Sequence, residues 1–122
     1  MSIQDFLDYL KRIGIKLPMY PLAFPASSPK KSMIVETGQG FAGRGSVFEV
    51  TLTITVRAKH PSESEALAKE INELLADRTD ELIGESGQII LIKSQQLIPN
   101  WMGKDAEGNH YYMVNFKVLV DN

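Results

Sequence analysis

Hydrophobic and polar residues alternate most regularly along "VFEVTLTITVRA", Val47 to Ala58. Phe48, Val50, Leu52, Ile54 and Val56 fall on one side of an extended chain, and Glu49, Thr51, Thr53, Thr55 and Arg57 on the other. A period of two predicts a long strand with one buried and one wet face. That pattern favours an antiparallel sheet, because parallel sheets are covered on both faces. "HYYMVNFKVLV" repeats it: Tyr112, Val114, Phe116, Val118 and Val120 share one face. Its other face mixes Tyr111, Met113, Asn115, Lys117 and Leu119, so it is partly covered too. "GQIILIKSQQLIP" reads as a further strand, bent or bulged near Ser94, and Met33 to Glu36 as a short one. "GKDAEGN" reads as a turn.

Two stretches carry helical spacing instead. Ile3, Phe6, Leu7, Leu10 and Ile13 recur on one stripe, with Ser2 placed to cap, Asp5 supporting the start and Gly14 ending the run. Pro61 suits a first helical turn, Ser62 and Glu65 have capping-box spacing, and Leu67, Ile71, Leu74 and Leu75 form a stripe running to about Asp77. Glu63, Glu65, Lys69, Glu70 and Glu73 take the solvent side of that helix. Thr79 to Gly84 reads as a short extra turn. Residues 15–31 hold Pro18, Pro21, Pro25 and Pro29, which predicts an extended arm lying on a surface. Residues 37–46 read as a Gly-rich loop. The expected architecture is α+β: one domain over residues 1–122, with an antiparallel, mostly meander sheet. An N-terminal and a central helix pack on one face of it.

The formal charge of −2 over 122 residues gives no drive to grip nucleic acid, though a chain of this balance can enclose DNA without holding it. The absence of cysteine excludes disulfides, thiolate zinc sites and a cysteine nucleophile. No run approaches the roughly 20 apolar residues that span a bilayer, and the start is unlike a signal peptide. A soluble protein without membrane partners, made in the cytoplasm, is expected.

Gly38, Gly40 and Gly43 match G-x-G-x-x-G after a strand, the spacing of a dinucleotide site. That chemistry needs a helix N-terminus behind the glycines to hold the pyrophosphate, and here the alternating strand follows. A phosphate-binding P-loop fails likewise, with Arg44 and Gly45 where Lys and Ser or Thr are required. His60 and His110 open a helix and a strand, with no carboxylates spaced to complete a metal site or a triad. Asp80, Glu81, Glu85, Asp105 and Glu107 read as solvated charge. No catalytic residue, cofactor or metal site is therefore expected. The candidate contact residues are Phe41 and Arg44 in the glycine stretch, Tyr20 in the Pro-rich arm, and Trp101 with Met102. Trp101 reads either as a cover over the core or as an interface anchor.

Several stretches together resemble phage tail terminator proteins, a family also labelled minor capsid proteins. They are an N-terminal helix ending near "RIGIKLP", a strand running into glycines at "IVETGQG", and a long strand with a basic end leading into a helix, "VTLTITVRAKHPSESEALAKEINELL". The last is the closing hairpin "PNWMGKDAEGNHYYMVNFKVLV". Its turn is Gly-x-Asp-x-x-Gly (Gly103, Asp105, Gly108), and its last strand carries Asn115-Phe116. The resemblance spans nearly the whole chain. It implies a non-enzymatic virion protein at the head-proximal end of the tail, assembled in the host bacterial cytoplasm. It implies a homo-oligomeric ring, a hexamer, that caps the tail tube, stops its polymerisation and presents a surface for joining the head. The implied partners are further copies of itself, the major tail tube protein and a head connector or completion protein. DNA would pass through the lumen without specific binding. A different head-completion or connector role is the alternative, with a small nucleotide-binding domain a distant third.

Overall fold

The computed structural model describes residues 1–42 and 45–121. The elements run α1 (Ile3–Arg12), β1 (Met19–Pro21), β2 (Ser32–Ala42), β3 (Val47–Ala58), α2 (Pro61–Leu75), β4 (Thr79–Ile83), β5 (Gly87–Ser94), β6 (Asn100–Lys104) and β7 (His110–Asp121). The strands form one sheet in the order β1-β2-β3-β7-β5-β4. Among the described residues β1 and β2 run parallel and the other pairs are antiparallel. One edge of β7 is given to β3 along its length, and the other is shared: β5 pairs with Phe116–Asp121 and β6 with His110–Met113. The fold is thus α+β, as the alternation predicts.

The long strand spans the predicted residues because its pattern is unbroken. Val50, Leu52, Ile54, Val56 and Ala58 are buried against Val114, Phe116, Val118 and Val120 of β7. Both helices lie on this face and contribute Phe6, Leu7, Tyr9, Leu10, Ala68, Ile71 and Leu75 to the same core. α1 begins as predicted: the Ser2 hydroxyl accepts from the Asp5 N–H at 3.3 Å, and the Asp5 carboxylate accepts from the Ser2 N–H at 2.9 Å. α2 begins differently. Its cap is His60, without a side-chain bond, and Pro61 opens the helix, so Ser62 already lies inside it. The first turn is anchored instead by buried Ser64, whose hydroxyl lies 3.1 Å from the Val56 carbonyl and 3.0 Å from that of His110.

Other departures have local causes. Thr79–Ile83 forms β4, not a helical turn. The chain reverses at Asp77 (φ +63°), whose N–H donates to the Ile92 carbonyl, and Ile83 is then fully buried. The apolar run "IILI" holds a bulge between Ile89 and Leu91. The extra residue brings Ile89 and Ile92, three apart, onto the buried face. The strand then ends at Ser94 rather than bending there. The glycine stretch is mostly strand: β2 continues through Gly38 and Gly40 to Ala42, antiparallel to β3. Thr51 and Glu49 lie across these glycines, and a Cβ would sit 2.6 Å from Thr51 Oγ1 at Gly38 or 2.6 Å from Glu49 Oε1 at Gly40. The Pro-rich segment is extended and irregular, as expected, with β1 its only regular part.

α1 touches β1 and β2 at one end of the sheet and β4 at the other. Laid flat, the ends of this six-strand path would be about 24 Å apart, at about 4.8 Å per strand. The sheet curls so that both reach one helix. Tyr9, buried, donates its hydroxyl to Glu81 at 2.7 Å, and the Arg12 guanidinium donates to the Leu82 carbonyl. Arg78 holds both Glu81 oxygens at 3.0 Å. Burial pushes the Glu81 carboxyl up, but the bonds from Tyr9 and Arg78 outweigh it and leave the group below its ordinary range. Burial and the neighbouring Glu81 push the Tyr9 phenol up. Tyr9→Phe is expected to cost about 1.5–3 kcal/mol in urea unfolding at pH 7, since it removes one hydrogen bond to a charged group. A wild-type midpoint would show that this bond does not hold the sheet's far edge.

Candidate functional site

The sheet face away from the helices carries cross-strand rows set by the register. Tyr20, Ile34, Thr55 and Met113 form one row, and Glu36, Thr53 and Asn115 the next. The Thr53 hydroxyl donates to Asn115 Oδ1, its side-chain amide oxygen, at 2.8 Å. At one end this face is covered by the segment after β1. Arg57, next to last in β3, places its guanidinium 4.1 Å from the centre of the Phe24 ring. Its Nε donates to the Lys30 carbonyl at 3.1 Å, and Nη2 reaches the Pro29 carbonyl at 2.7 Å and Ser28 Oγ at 2.8 Å. Phe24 also meets Tyr111 edge-on at 5.7 Å. One planar cation thus straps the arm to the sheet, a role that lysine, with a single point of charge, cannot fill.

Tyr111 leads to the closing turn. The Asp105 carboxylate accepts from the N–H groups of Asn109 and Glu107, from the Asn109 side-chain amide and, at 2.8 Å, from the Tyr111 hydroxyl. Gly103 and Gly108 take φ of +104° and +83°, which a side chain would strain. The Gly-x-Asp-x-x-Gly spacing is therefore a turn built around one carboxylate. The backbone bond from Asn109 and the Tyr111 hydroxyl hold the Asp105 carboxyl at about 2.

Between β5 and β6 the chain leaves the sheet. The Gln96 side chain fills the gap on β7: its amide donates to the Met113 carbonyl at 2.9 Å and accepts from the Asn115 N–H at 3.0 Å. Asn72 of α2 donates to the Gln96 carbonyl at 3.2 Å, and Ser94 donates to Asn72 at 2.7 Å. Above this base stand Leu97, 96% exposed, and Ile98, 70% exposed. Trp101 and Met102 follow on β6, both more than half exposed. Trp101 is thus no cover over the core. Its ring lies beside His110, and its indole N–H donates to His110 Nδ1 at 3.2 Å.

On the other flank of α2 lies an open groove of about 500 Å³. Leu67, Ile71 and Leu74 form one wall, and Ile15, Leu17 and Pro18 the other.

Of the residues singled out from sequence, Trp101 and Met102 stand together on β6, and Tyr20 is half-buried on β1 at the far side of the sheet. Arg44 and the Phe41 side chain lie outside the described residues. Leu97, Ile98 and the groove escaped the sequence reading. The signal available was the break of alternation at Gln95-Gln96, followed by two aliphatic residues and a proline. Among the described residues no three of His, Cys, Asp and Glu are grouped to hold a metal ion. His60 and His110 lie at the starts of α2 and β7. Gly38 and Gly40 lead along β2 and not into a helix.

Two outcomes are expected. Arg57→Lys should leave the fold intact but speed amide hydrogen exchange across residues 22–31; unchanged exchange would show that the strap holds nothing. The depressed Asp105 carboxyl adds stability that is complete above its unfolded value, about 3.9, and is lost as pH falls toward its folded value. Asp105→Asn should therefore flatten the fall in melting temperature between pH 4 and about pH 2. An equally steep fall in the variant would assign the acid sensitivity elsewhere.

Comparison with known proteins gives these forms a context. No curated protein matches the chain. A solved structure, "Virion of native gene transfer agent (GTA) particle", contains a chain of similar fold. Its TM-score is 0.68 at 12% identity, covering 98% of this chain and 91% of that one. A second solved structure aligns at a TM-score of 0.49 and 14% identity, over 97% and 96% of the two chains. The model of a protein family, described as bacteriophage tail terminator protein, matches residues 9–122, from within α1 to the last residue. This chain belongs to the bacteriophage tail terminator protein family.

Proposed function

We propose that this protein caps the phage tail tube, stops its polymerisation and forms the surface to which the head joins, acting as a ring of identical subunits, a hexamer. The observation that carries this reading is the family match over residues 9–122, which takes in the sheet, α2 and the closing turn. The likeness in fold to a chain of a gene transfer agent particle supports a place in a virion. A ring with closed rotational symmetry joins one patch of each subunit to a different patch of the next. The exposed Leu97, Ile98, Trp101 and Met102 and the α2 groove supply two unlike patches, and the candidate residues Phe41, Arg44 and Tyr20 would meet neighbours or the tube. Its partners would be further copies, the major tail tube protein and a head connector, at the head-proximal end of tails assembled in the host cytoplasm. The role is structural and non-enzymatic. A net charge of −2 suits a lumen through which DNA passes unheld.

Deleting the gene from its phage is expected to leave tails of uncontrolled length, or tails that do not join heads, by electron microscopy. Normal virions would overturn the reading. Labelled protein at the capsid vertex, with tail length unaffected by deletion, would replace it with a head-completion role.

A further inference from the structure

Leu97 and Ile98 are unusual in being both bare and fixed. Their base is held from three sides: by the Gln96 side chain bonded to two backbone groups of β7, by Asn72 of α2, and by the Gln95 N–H donating to the Asn115 carbonyl at 2.9 Å. A projecting apolar tip on a rigid base loses little conformational freedom when it docks. No charged residue lies between Lys93 and Lys104, so the tip brings no charge that must be desolvated.

The receiving shape is on the same molecule. The groove between α2 and the Gly14–Pro18 segment has an aliphatic floor of Ile15, Leu17, Leu67, Ile71 and Leu74, rimmed by Lys16, Lys31 and Glu70, and is open along one side. It cannot take its own chain's tip, because the two lie on opposite flanks of α2. Asn72 faces the tip's base, while Leu67, Ile71 and Leu74 face the groove. A contact between unlike patches on opposite flanks is head-to-tail, and such a contact propagates from subunit to subunit and closes into a ring when the rotation allows.

We propose that Leu97 and Ile98 of one copy seat in the α2 groove of the next, with Trp101 and Met102 packing at the margin. This deepens the ring reading above and rests on it. Four exposed side chains are far fewer than the roughly 20–30 residues a side of a standard stable interface. One such contact is therefore weak. The protein is expected to be mostly monomeric when dilute and to associate when concentrated or when lined up on the tube end, where each subunit makes two contacts.

The natural absence of cysteine makes the test direct. Glu70, exposed at the groove, and Ile98 are replaced together in the full chain, as Glu70→Cys and Ile98→Cys. The variant is oxidised at high concentration and, separately, in tails assembled in infected cells. A disulfide requires Cα atoms within about 7 Å. The expected result is a ladder of covalent oligomers beyond the dimer, absent from either single variant. Oligomers or tails that form without the ladder would overturn the contact. In parallel, Leu97→Glu with Ile98→Glu should keep the wild-type melting temperature and weaken self-association at least about 100-fold. Wild-type association by that variant would also overturn the proposal. So would loss of tail incorporation with no cross-link between copies, since that would give the tip to another virion protein. The outcomes separate from those of the ring reading. A ladder in a phage whose tails are normal without the gene would sink the capping role and keep the contact. Tails that need the gene but yield no ladder would do the reverse.

Discussion

Everything in this fold hangs on the pairing of β3 with β7. All twelve residues of β3 are in register with β7, from Val47 opposite Asp121 to Ala58 opposite His110. This ladder fixes which side chains face the helices, because a slip of one residue would turn the buried apolar row of each strand outward. α2 sits over it, β2 extends it on one side, and β5 and β6 divide the free edge of β7. The projecting tip is a consequence of that division. Two short strands share one edge, the chain must leave the sheet between them, and a glutamine side chain fills the place where backbone would otherwise pair.

The second constraint is closure. A curled sheet leaves its concave face open unless something spans it, and α1 does so, touching strands from both ends of the sheet order. The Tyr9–Glu81–Arg78 group fastens it at the far edge. On the opposite face Arg57 fastens the arm. Both fastenings are polar, and both tie segments distant in sequence: residue 9 to residue 81, and residue 57 to residues 24–30. The apolar core sets the layers, and these few hydrogen-bonded groups set how the layers' margins are folded over.

How much of this the sequence discloses depends on whether burial imposes a period. β3 and β7 are half-buried along their length, so their bounds can be read from alternation. α1 is legible because its cap is local, Ser2 with Asp5. β1, β4 and β6 are three to five residues long and lie at sheet margins, with mostly exposed positions, so no period marks them. Gly38 and Gly40 read as loop because glycine seldom sits within a strand. What admits them is the cover given by Thr51 and Glu49, a cross-strand effect that only register reveals. Trp101 could be read two ways, and its ring stands at the surface beside His110. Leu97 and Ile98 were hidden as the apparent end of an apolar strand. Their exposure follows from Gln96 reaching β7 with its side chain, which spacing along the chain does not encode.

The span of α1 also sets an order in time. α1 lies some 70 residues ahead of its anchor at β4, so that anchor is made only after those residues are synthesised. Until then the helix has one side to lean on, and a ten-residue helix is marginal alone. The segment Gly14–Pro18, which forms one wall of the groove, hangs directly from that helix. A nascent or truncated chain therefore lacks a finished groove, while a complete chain acquires it with the rest of its fold. Seating of α1 and completion of the groove are thus one event in folding.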